Sequence, residues 1–198
     1  MRRRVATVSI LPIIFEWEID DMATANLPSR LHHTAYVARD LEATRQFYED
    51  VIGLPLIATW CEKDMLFGAE RVYCHLFFGL ADGSALAFFQ FAKAEDQALF
   101  GPPLPASPFR HIALAVDEKT QLGIEERLKA AGISAPQTYV LEHGYCRSVY
   151  VTDPNEMIVE FTVDSPGAEK LAAERKQNAR AELKRWLAGD HTSNNTFR

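Results

Sequence analysis

Residues 32–54, HHTAYVARDLEATRQFYEDVIGL, match residues 110–133, RHIALAVDEKTQLGIEERLKAAGI. When the two stretches are aligned, His33 coincides with His111. Each stretch then has a short strand pattern, an apolar helical face and a glycine. A repeat of this length indicates that the chain folds as two similar modules.

Both repeats contain a predicted amphipathic helix. Asp40 is well placed to cap the first helix, because its side chain can accept hydrogen bonds from the backbone of the first turn. Gly53 and Gly132 are placed to end the two helices. The predicted apolar positions are Leu41, Phe47, Tyr48, Val51 and Ile52 in the first helix, and Leu122, Ile124, Leu128 and Ala131 in the second.

Strand-like runs follow each glycine: LPLIATW (54–60), RVYCHLFFGL (71–80) and SALAFFQFA (84–92), then SAPQTYVL (134–141), YCRSVYVT (145–152) and EMIVEFTV (156–163). Each module is therefore predicted as βαβββ, and the fold class as α+β. The predicted organisation is an N-terminal extension (1–28), module 1 (29–94), a Pro-rich linker (95–108), module 2 (109–165), and a C-terminal surface helix with a tail (166–198).

Composition narrows the classes of partner. The net charge is −6 and no lysine-rich block is present, which disfavours nucleic acid and anionic membranes as partners. An odd count of three widely spaced cysteines, Cys61, Cys74 and Cys146, predicts reduced thiols in the cytoplasm that serve as small buried hydrophobes.

The N-terminal segment has a basic start and an apolar run, as a signal peptide has. Four acidic residues between positions 16 and 21 disfavour that alternative, although they do not remove it. We expect a loosely attached extension, with Met22 as an alternative natural start.

The tandem βαβββ pattern, a histidine at the start of each module, and DPNEMIVEF at residues 153–161 resemble the vicinal oxygen chelate superfamily. That family includes glyoxalase I, extradiol dioxygenases, fosfomycin-resistance proteins and bleomycin-binding proteins. The resemblance implies that the two modules form a curled mixed sheet around a metal cavity. Glu156 stands where the family pattern usually has glycine, which is a departure at the turn before the last strand.

The resemblance implies that His33, His111 and Glu160 bind a divalent metal. Two imidazoles and one carboxylate form the facial triad that suits Fe(II), and Mn, Zn and Ni are alternatives. Because side chains alternate along a strand, His32 is expected on the opposite face from His33. Taken singly, each of these residues is also compatible with an ordinary structural role.

The internal repeat predicts what occupies the fourth ligand position of a glyoxalase-type site. Glu160 follows Glu156 by four residues, and Ala87 follows Gly83 by the same interval. Ala87 therefore replaces the second carboxylate. Three protein ligands leave up to three positions of an octahedral metal open, which is room for a bidentate substrate and O2 or water.

The function predicted by the resemblance is an extradiol-type dioxygenase that acts on a catechol-like small molecule. Leu86-Ala87-Phe88 is similar to a stretch of those enzymes, and Tyr150 and His143 are the candidate catalytic residues. The acid–base histidine usual before that stretch is missing, and His75 is a weaker substitute. The alternatives are a glyoxalase-like lyase or isomerase and a non-catalytic binding protein. A homodimer is expected by analogy.

Overall fold

A computed structural model describes residues 27–103 and 107–195. The predictions for the N-terminal extension lie almost entirely outside these described residues. Residues Pro28–Ala168, which include both modules, belong to one compact unit, and the C-terminal residues Glu169–Thr192 belong to another.

Each module has the predicted βαβββ order. Module 1 contains β1 (His33–Val37), α1 (Leu41–Arg45) with a π-helical continuation (Gln46–Ile52), β2 (Leu56–Leu66), β3 (Ala69–Gly79) and β4 (Ala85–Phe91). After α2 (Ala94–Phe100), module 2 contains β5 (His111–Ala115), α3 (Glu118–Ala130), β6 (Thr138–Glu142), β7 (Cys146–Thr152) and β8 (Ile158–Asp164). The α+β fold class is confirmed.

The modules form two four-stranded mixed sheets with the same topology, in the orders β1-β4-β3-β2 and β5-β8-β7-β6. The first strand of each sheet pairs in parallel with the last. Ala35 pairs with Ala87, and Ala113 pairs with Glu160 at the equivalent point. The register therefore confirms that Ala87 is the counterpart of Glu160.

One hydrophobic core spans both modules. The helical segments contribute buried Phe47, Tyr48, Ile52, Ile124 and Leu128, and the sheets contribute Phe78, Leu86, Phe88, Val149, Val151, Val159 and Phe161. In such a core, burying each large apolar side chain contributes roughly 1.5–3 kcal/mol.

The predicted apolar face of the second helix is partly wrong. Leu122 is half exposed and Ala131 is exposed, whereas Gln121 is buried. The Gln121 amide donates hydrogen bonds to the carbonyls of Arg147 and Phe161, at 2.9 and 2.7 Å. A polar residue can be buried at this position because its donors are satisfied by strand backbone.

The predicted helix boundaries are confirmed. The Asp40 side chain caps α1 by accepting from the Ala43 N–H at 2.9 Å. Gly53 and Gly132 adopt positive φ angles of 92° and 75° after the first and second helices. The local chemistry of these residues therefore fixes where each helix ends.

Polar contacts also join the modules. The Tyr48 hydroxyl donates to Asp153 at 3.0 Å in a buried hydrogen bond. Arg127 donates to the carbonyls of Val51 and Ile52, at 2.7 and 2.6 Å. These bonds hold α3 and the turn before β8 against the π-helical segment.

The segment expected to be a Pro-rich linker begins with helix α2. A buried ion pair between Arg71 and Asp96 holds this helix against β3. Gln97 adds hydrogen bonds to the Phe91 N–H at 2.9 Å and the Ala38 carbonyl at 2.8 Å. The helix depends on these contacts from distant residues, which the linker prediction did not include.

The predicted C-terminal helix is α4 (Ala168–Leu187), in which no residue is buried. Within its unit, Arg185 pairs with Glu182 and with Asp190, each at 2.9 Å. No helix among the described residues is long and apolar enough to cross a membrane.

Candidate metal centre

His111 and Glu160 form the centre of the candidate site. His111 begins β5, and Glu160 lies in the neighbouring parallel strand β8. The His111 Nε2 atom lies 3.0 Å from the Glu160 Oε2 atom. The Glu160 side chain is only 8% exposed, so its carboxylate is held largely away from water.

The other nitrogen of the His111 ring determines what this pair can do. His111 Nδ1 lies 3.1 Å from the carbonyl oxygen of Pro108. Because a carbonyl can only accept, Nδ1 carries a proton. In the neutral ring, Nε2 then carries no proton, and its lone pair faces a buried carboxylate. A cation between the two atoms, either a proton or a metal ion, resolves this unfavourable contact.

Tyr150 completes a polar cluster around Glu160. It lies in β7 directly beside Glu160, on the same sheet face. Its hydroxyl is 3.1 Å from His143 Nε2. Burial, followed by hydrogen bonding to Glu160, raises the pKa of Tyr150 to about 12. The hydroxyl therefore stays protonated near neutral pH and can donate a hydrogen bond to a bound anion or to Glu160.

His33 lies on module 1, at the position equivalent to His111. Its ring packs edge-on against Phe77, with ring centroids 5.6 Å apart. Its Nδ1 atom lies 2.7 Å from Nδ1 of His32. The expectation that these histidines occupy opposite faces is wrong, because His32 precedes the strand and its ring can turn towards His33.

The His32 contact gives His33 a feature in common with His111. In a neutral pair, one Nδ1 atom donates its proton to the other. The Nδ1 atom of His33 is therefore engaged, as Nδ1 of His111 is engaged by Pro108. When His33 is the donor of this bond, its Nε2 atom has a lone pair suited to bind a metal, as Nε2 of His111 has.

Sequence reasoning grouped His33, His111 and Glu160, but one chain brings together only the last two. Within residues 27–103 and 107–195, no three His, Cys, Asp or Glu side chains lie together as a metal-binding group. Among these described residues, His33 is therefore not grouped with His111 and Glu160.

The sheet face around His33 is largely apolar. Phe77, His75 and Phe89 share this face, while Phe78 and Phe88 turn into the core. His75 stacks on Phe89 with ring centroids 3.5 Å apart. Its buried Nε2 atom has no hydrogen-bond partner, and burial is the main cause of its lowered pKa. The alternation of strand side chains could have identified this face, but not the missing partner.

Comparison with protein families and curated proteins gives two matches. A family model described as the Glyoxalase/Bleomycin resistance protein/Dioxygenase superfamily matches residues 30–161. The uncharacterized protein YwbC of Bacillus subtilis (strain 168) is 29% identical over 137 residues, which span 68% of this chain and 98% of YwbC.

Solved structures share the fold. The fosfomycin resistance protein FosX of Listeria monocytogenes has a TM-score of 0.52 and 21% identity, covering 72% of this chain and 99% of FosX. FosX complexed with Mn(II) and a sulfate ion has a TM-score of 0.50 and 21% identity, covering 73% and 99% of the two chains. A glyoxylase/bleomycin resistance protein/dioxygenase domain from Frankia sp. EAN1pec has a TM-score of 0.50 and 19% identity, covering 72% and 96%.

Proposed function

The chain belongs to the glyoxalase/bleomycin resistance protein/dioxygenase superfamily, and on this premise we propose that it is a divalent-metal-dependent enzyme. The proposed ligands are His111, Glu160 and His33. The favoured reaction is an extradiol-type dioxygenation of a small molecule with two vicinal oxygens. The proposed setting is the cytoplasm.

The observation that carries this proposal is the contact between His111 Nε2 and the buried Glu160 carboxylate. The Pro108 carbonyl orients the ring so that Nε2 faces Glu160 at 3.0 Å. A backbone acceptor on the far side of a histidine is the usual partner that orients a metal-binding imidazole. A neutral imidazole and a carboxylate are both ligands that suit Fe(II), Mn(II) and Zn(II).

Ala87 supports the reaction type. Its register position is that of Glu160, yet it offers no ligand atom. Three protein ligands would leave room on a divalent metal for both oxygens of a chelating substrate and for O2. A divalent metal bound there supplies Lewis acidity, which lowers the pKa of a coordinated hydroxyl.

Tyr150 and His143 have distinct proposed roles. The Tyr150 hydroxyl remains protonated near neutral pH and would donate a hydrogen bond to a substrate oxygen. His143, whose Nε2 atom is 3.1 Å from that hydroxyl, would accept a proton released by the substrate. The apolar face formed by Phe77 and Phe89 would contact the carbon skeleton of the substrate and exclude water.

In this proposal, a second copy of the chain supplies the third ligand. His111 and Glu160 lie together on the sheet of module 2, whereas His33 lies on the sheet of module 1 beside Phe77. We therefore propose a homodimer in which His33 of the partner subunit completes each site. Each metal would then be held by one carboxylate and two imidazoles.

Fe(II) is the favoured metal because a two-histidine, one-carboxylate set with open positions suits non-haem Fe(II) oxygenases. Mn(II) is the next candidate, since FosX of Listeria monocytogenes has been solved in complex with it. Zinc and nickel are further candidates for a lyase or isomerase that uses the same ligands.

The test is anaerobic purification, followed by metal analysis and reconstitution with Fe(II), Mn(II), Zn(II) or Ni(II). Oxygen uptake and ring cleavage are then followed with a panel of catechols. The dioxygenase predicts uptake that is lost in Glu160→Ala and kept in Asp164→Asn, which changes an exposed carboxylate on the same strand. Metal binding without oxygen uptake would instead favour a lyase or isomerase. Failure to bind any of the four metals would leave a non-catalytic binding protein.

Mixing two inactive variants tests the shared site. His33→Ala and Glu160→Ala each damage every site of their own homodimer. A mixed dimer has one site that receives His33 from the Glu160→Ala subunit and Glu160 from the His33→Ala subunit. Activity that returns on mixing supports the shared site. If mixed dimers form, as detected with a tag on one subunit, and remain inactive, the three ligands do not come from two subunits.

A further inference from the structure

Cys61 and Cys74 form a pair that lies outside the candidate metal site. They lie directly opposite each other on the antiparallel strands β2 and β3. Their Sγ atoms are 3.8 Å apart. Sequence spacing did not reveal this pair, and the expectation that all three cysteines are buried is wrong for Cys61, which is exposed.

The backbone geometry at this pair is compatible with a disulfide. Directly opposed residues of an antiparallel pair have Cα atoms about 4.5–5.5 Å apart. Disulfides span Cα separations of roughly 4.4–6.8 Å, with a sulfur–sulfur bond of about 2.05 Å. Small side-chain rotations would therefore bring the two sulfurs from 3.8 Å to bonding distance without a change of register.

The two thiols differ in accessibility. Cys61 is exposed on the edge strand β2, and Cys74 is half-buried between β2 and β4. Burial raises the pKa of the Cys74 thiol, so Cys61 is the better placed nucleophile towards a molecule in solution. Cys74, at van der Waals distance, is the group that could resolve an adduct on Cys61.

We propose that Cys61 and Cys74 are a thiol–disulfide exchange site that reacts with a low-molecular-weight disulfide such as oxidised glutathione. The Cys61 thiolate attacks one sulfur of the reagent, forms a mixed disulfide and releases one thiol. The Cys74 thiolate then attacks the Cys61 sulfur, forms the Cys61–Cys74 bond and releases the second thiol. The two protein thiols lose two electrons and two protons, and the reagent disulfide gains them.

The oxidised form would tie the edge strand β2 covalently to β3. The same two strands carry Trp60 and His75, which are neighbouring register partners on the opposite sheet face. The crosslink would therefore fix the edge of the face that bears His33. The exchange chemistry itself requires neither the metal nor the partner subunit, so it is independent of the proposed function.

The test uses the full chain and oxidised glutathione as the probe. The protein is incubated with mixtures of oxidised and reduced glutathione, quenched with N-ethylmaleimide, and analysed by intact and peptide mass spectrometry. We expect a linked Cys61–Cys74 peptide and alkylation of Cys146 alone after denaturation. Cys146→Ser is the matched control, because buried Cys146 contacts Ser148 rather than another cysteine. This variant should form the crosslink as the unmodified protein does.

Two single variants test the order of the steps. Cys74→Ser should stop at a stable mixed disulfide on Cys61, and Cys61→Ser should react at least about 10-fold more slowly, because the remaining thiol is half-buried. The proposal is overturned if glutathione remains on Cys61 of the unmodified protein without resolution. It is also overturned if both thiols are still alkylated at the most oxidising ratio.

Discussion

The two modules share a backbone but differ in the chemistry of equivalent positions. Glu160 in module 2 corresponds to Ala87 in module 1, and both pair with an alanine of the parallel neighbouring strand. Tyr150 corresponds to Phe77 as the antiparallel partner of that position. Module 2 therefore presents a carboxylate and a hydroxyl, while module 1 presents His33 on an apolar face.

This difference separates the requirements of the fold from those of the site. Both sheets keep large apolar side chains on the core face, including Phe88 and Phe161. Substitutions on the opposite face alter the candidate chemistry without changing strand order or register. Ala87 is fully buried, but it is not part of the hydrophobic cluster that joins the two modules.

The largest effect on metal binding is expected from giving module 2 the alanine that module 1 has at the position of Glu160. Glu160→Ala should weaken metal binding at least about 100-fold, because it removes the only carboxylate proposed as a ligand. Isothermal titration with Mn(II) measures this change, and Asp164→Asn on the same strand is the control. Binding within a factor of about three of the original would contradict Glu160 as a ligand.

The turns that precede the last strands provide a second comparison. Asp153 is buried and accepts from the Tyr48 hydroxyl at 3.0 Å and from the backbone N–H of Asn155 and Met157, each at 2.8 Å. Asp153→Ala would leave these buried donors unsatisfied, at a cost of about 2 kcal/mol. Urea unfolding measures this loss. Asp82→Ala, in the exposed turn of module 1, should cost less.

The pH dependence of this effect follows from Asp153. Burial raises the pKa of Asp153 above its usual value in the folded state. As pH falls through that raised pKa towards the unfolded value of about 3.9, the folded protein binds a proton first and gains stability. The stability difference between the original protein and Asp153→Ala should therefore grow as pH falls in this window. A difference that shrinks would contradict the raised pKa.

Tyr150→Phe tests the second difference between the modules, since it copies Phe77 into module 2. The substitution removes the hydroxyl that contacts His143 while keeping the ring that stacks on Tyr139, with centroids 5.0 Å apart. We expect turnover to fall about 10-fold, because the loss of one hydrogen bond costs roughly 0.5–1.5 kcal/mol. Metal affinity should change little. If Tyr150→Phe instead lost metal while turnover per bound metal stayed the same, Tyr150 would act by positioning Glu160.

Features fixed by local sequence were predictable. Asp40, Gly53 and Gly132 mark helix ends through the chemistry of their own side chains and backbones. The equivalence of Ala87 and Glu160 followed from counting residues after matched turns, because strand side chains alternate strictly. Local periodicity was sufficient to predict a helix or a strand wherever that element buries one continuous apolar face.

Features that depend on distant partners were not predictable. Helix α2 requires the Arg71–Asp96 pair, and buried Gln121 requires carbonyls from two strands. Cys61 and Cys74 become neighbours only through the register of β2 and β3. The three proposed ligands matched the repeat in sequence, but sequence could not reveal that one chain groups only two of them.

The smallest predicted effect concerns the residue that replaces the usual turn glycine. Glu156 has a φ of 66°, and its counterpart Gly83 has a φ of 80°. Glu156→Gly should raise Tm by about 1–2 °C, because relief of the left-handed conformation outweighs loss of the exposed ion pair with Arg39. Gly83→Ala should lower Tm through backbone strain alone, since its added Cβ lies no closer than 3.9 Å to Arg30. Arg39→Ala isolates the contribution of the ion pair. If Glu156→Gly lowers Tm by more than Arg39→Ala does, the side chain of Glu156 stabilises the turn by contacts beyond Arg39, and the two turns differ in more than backbone strain.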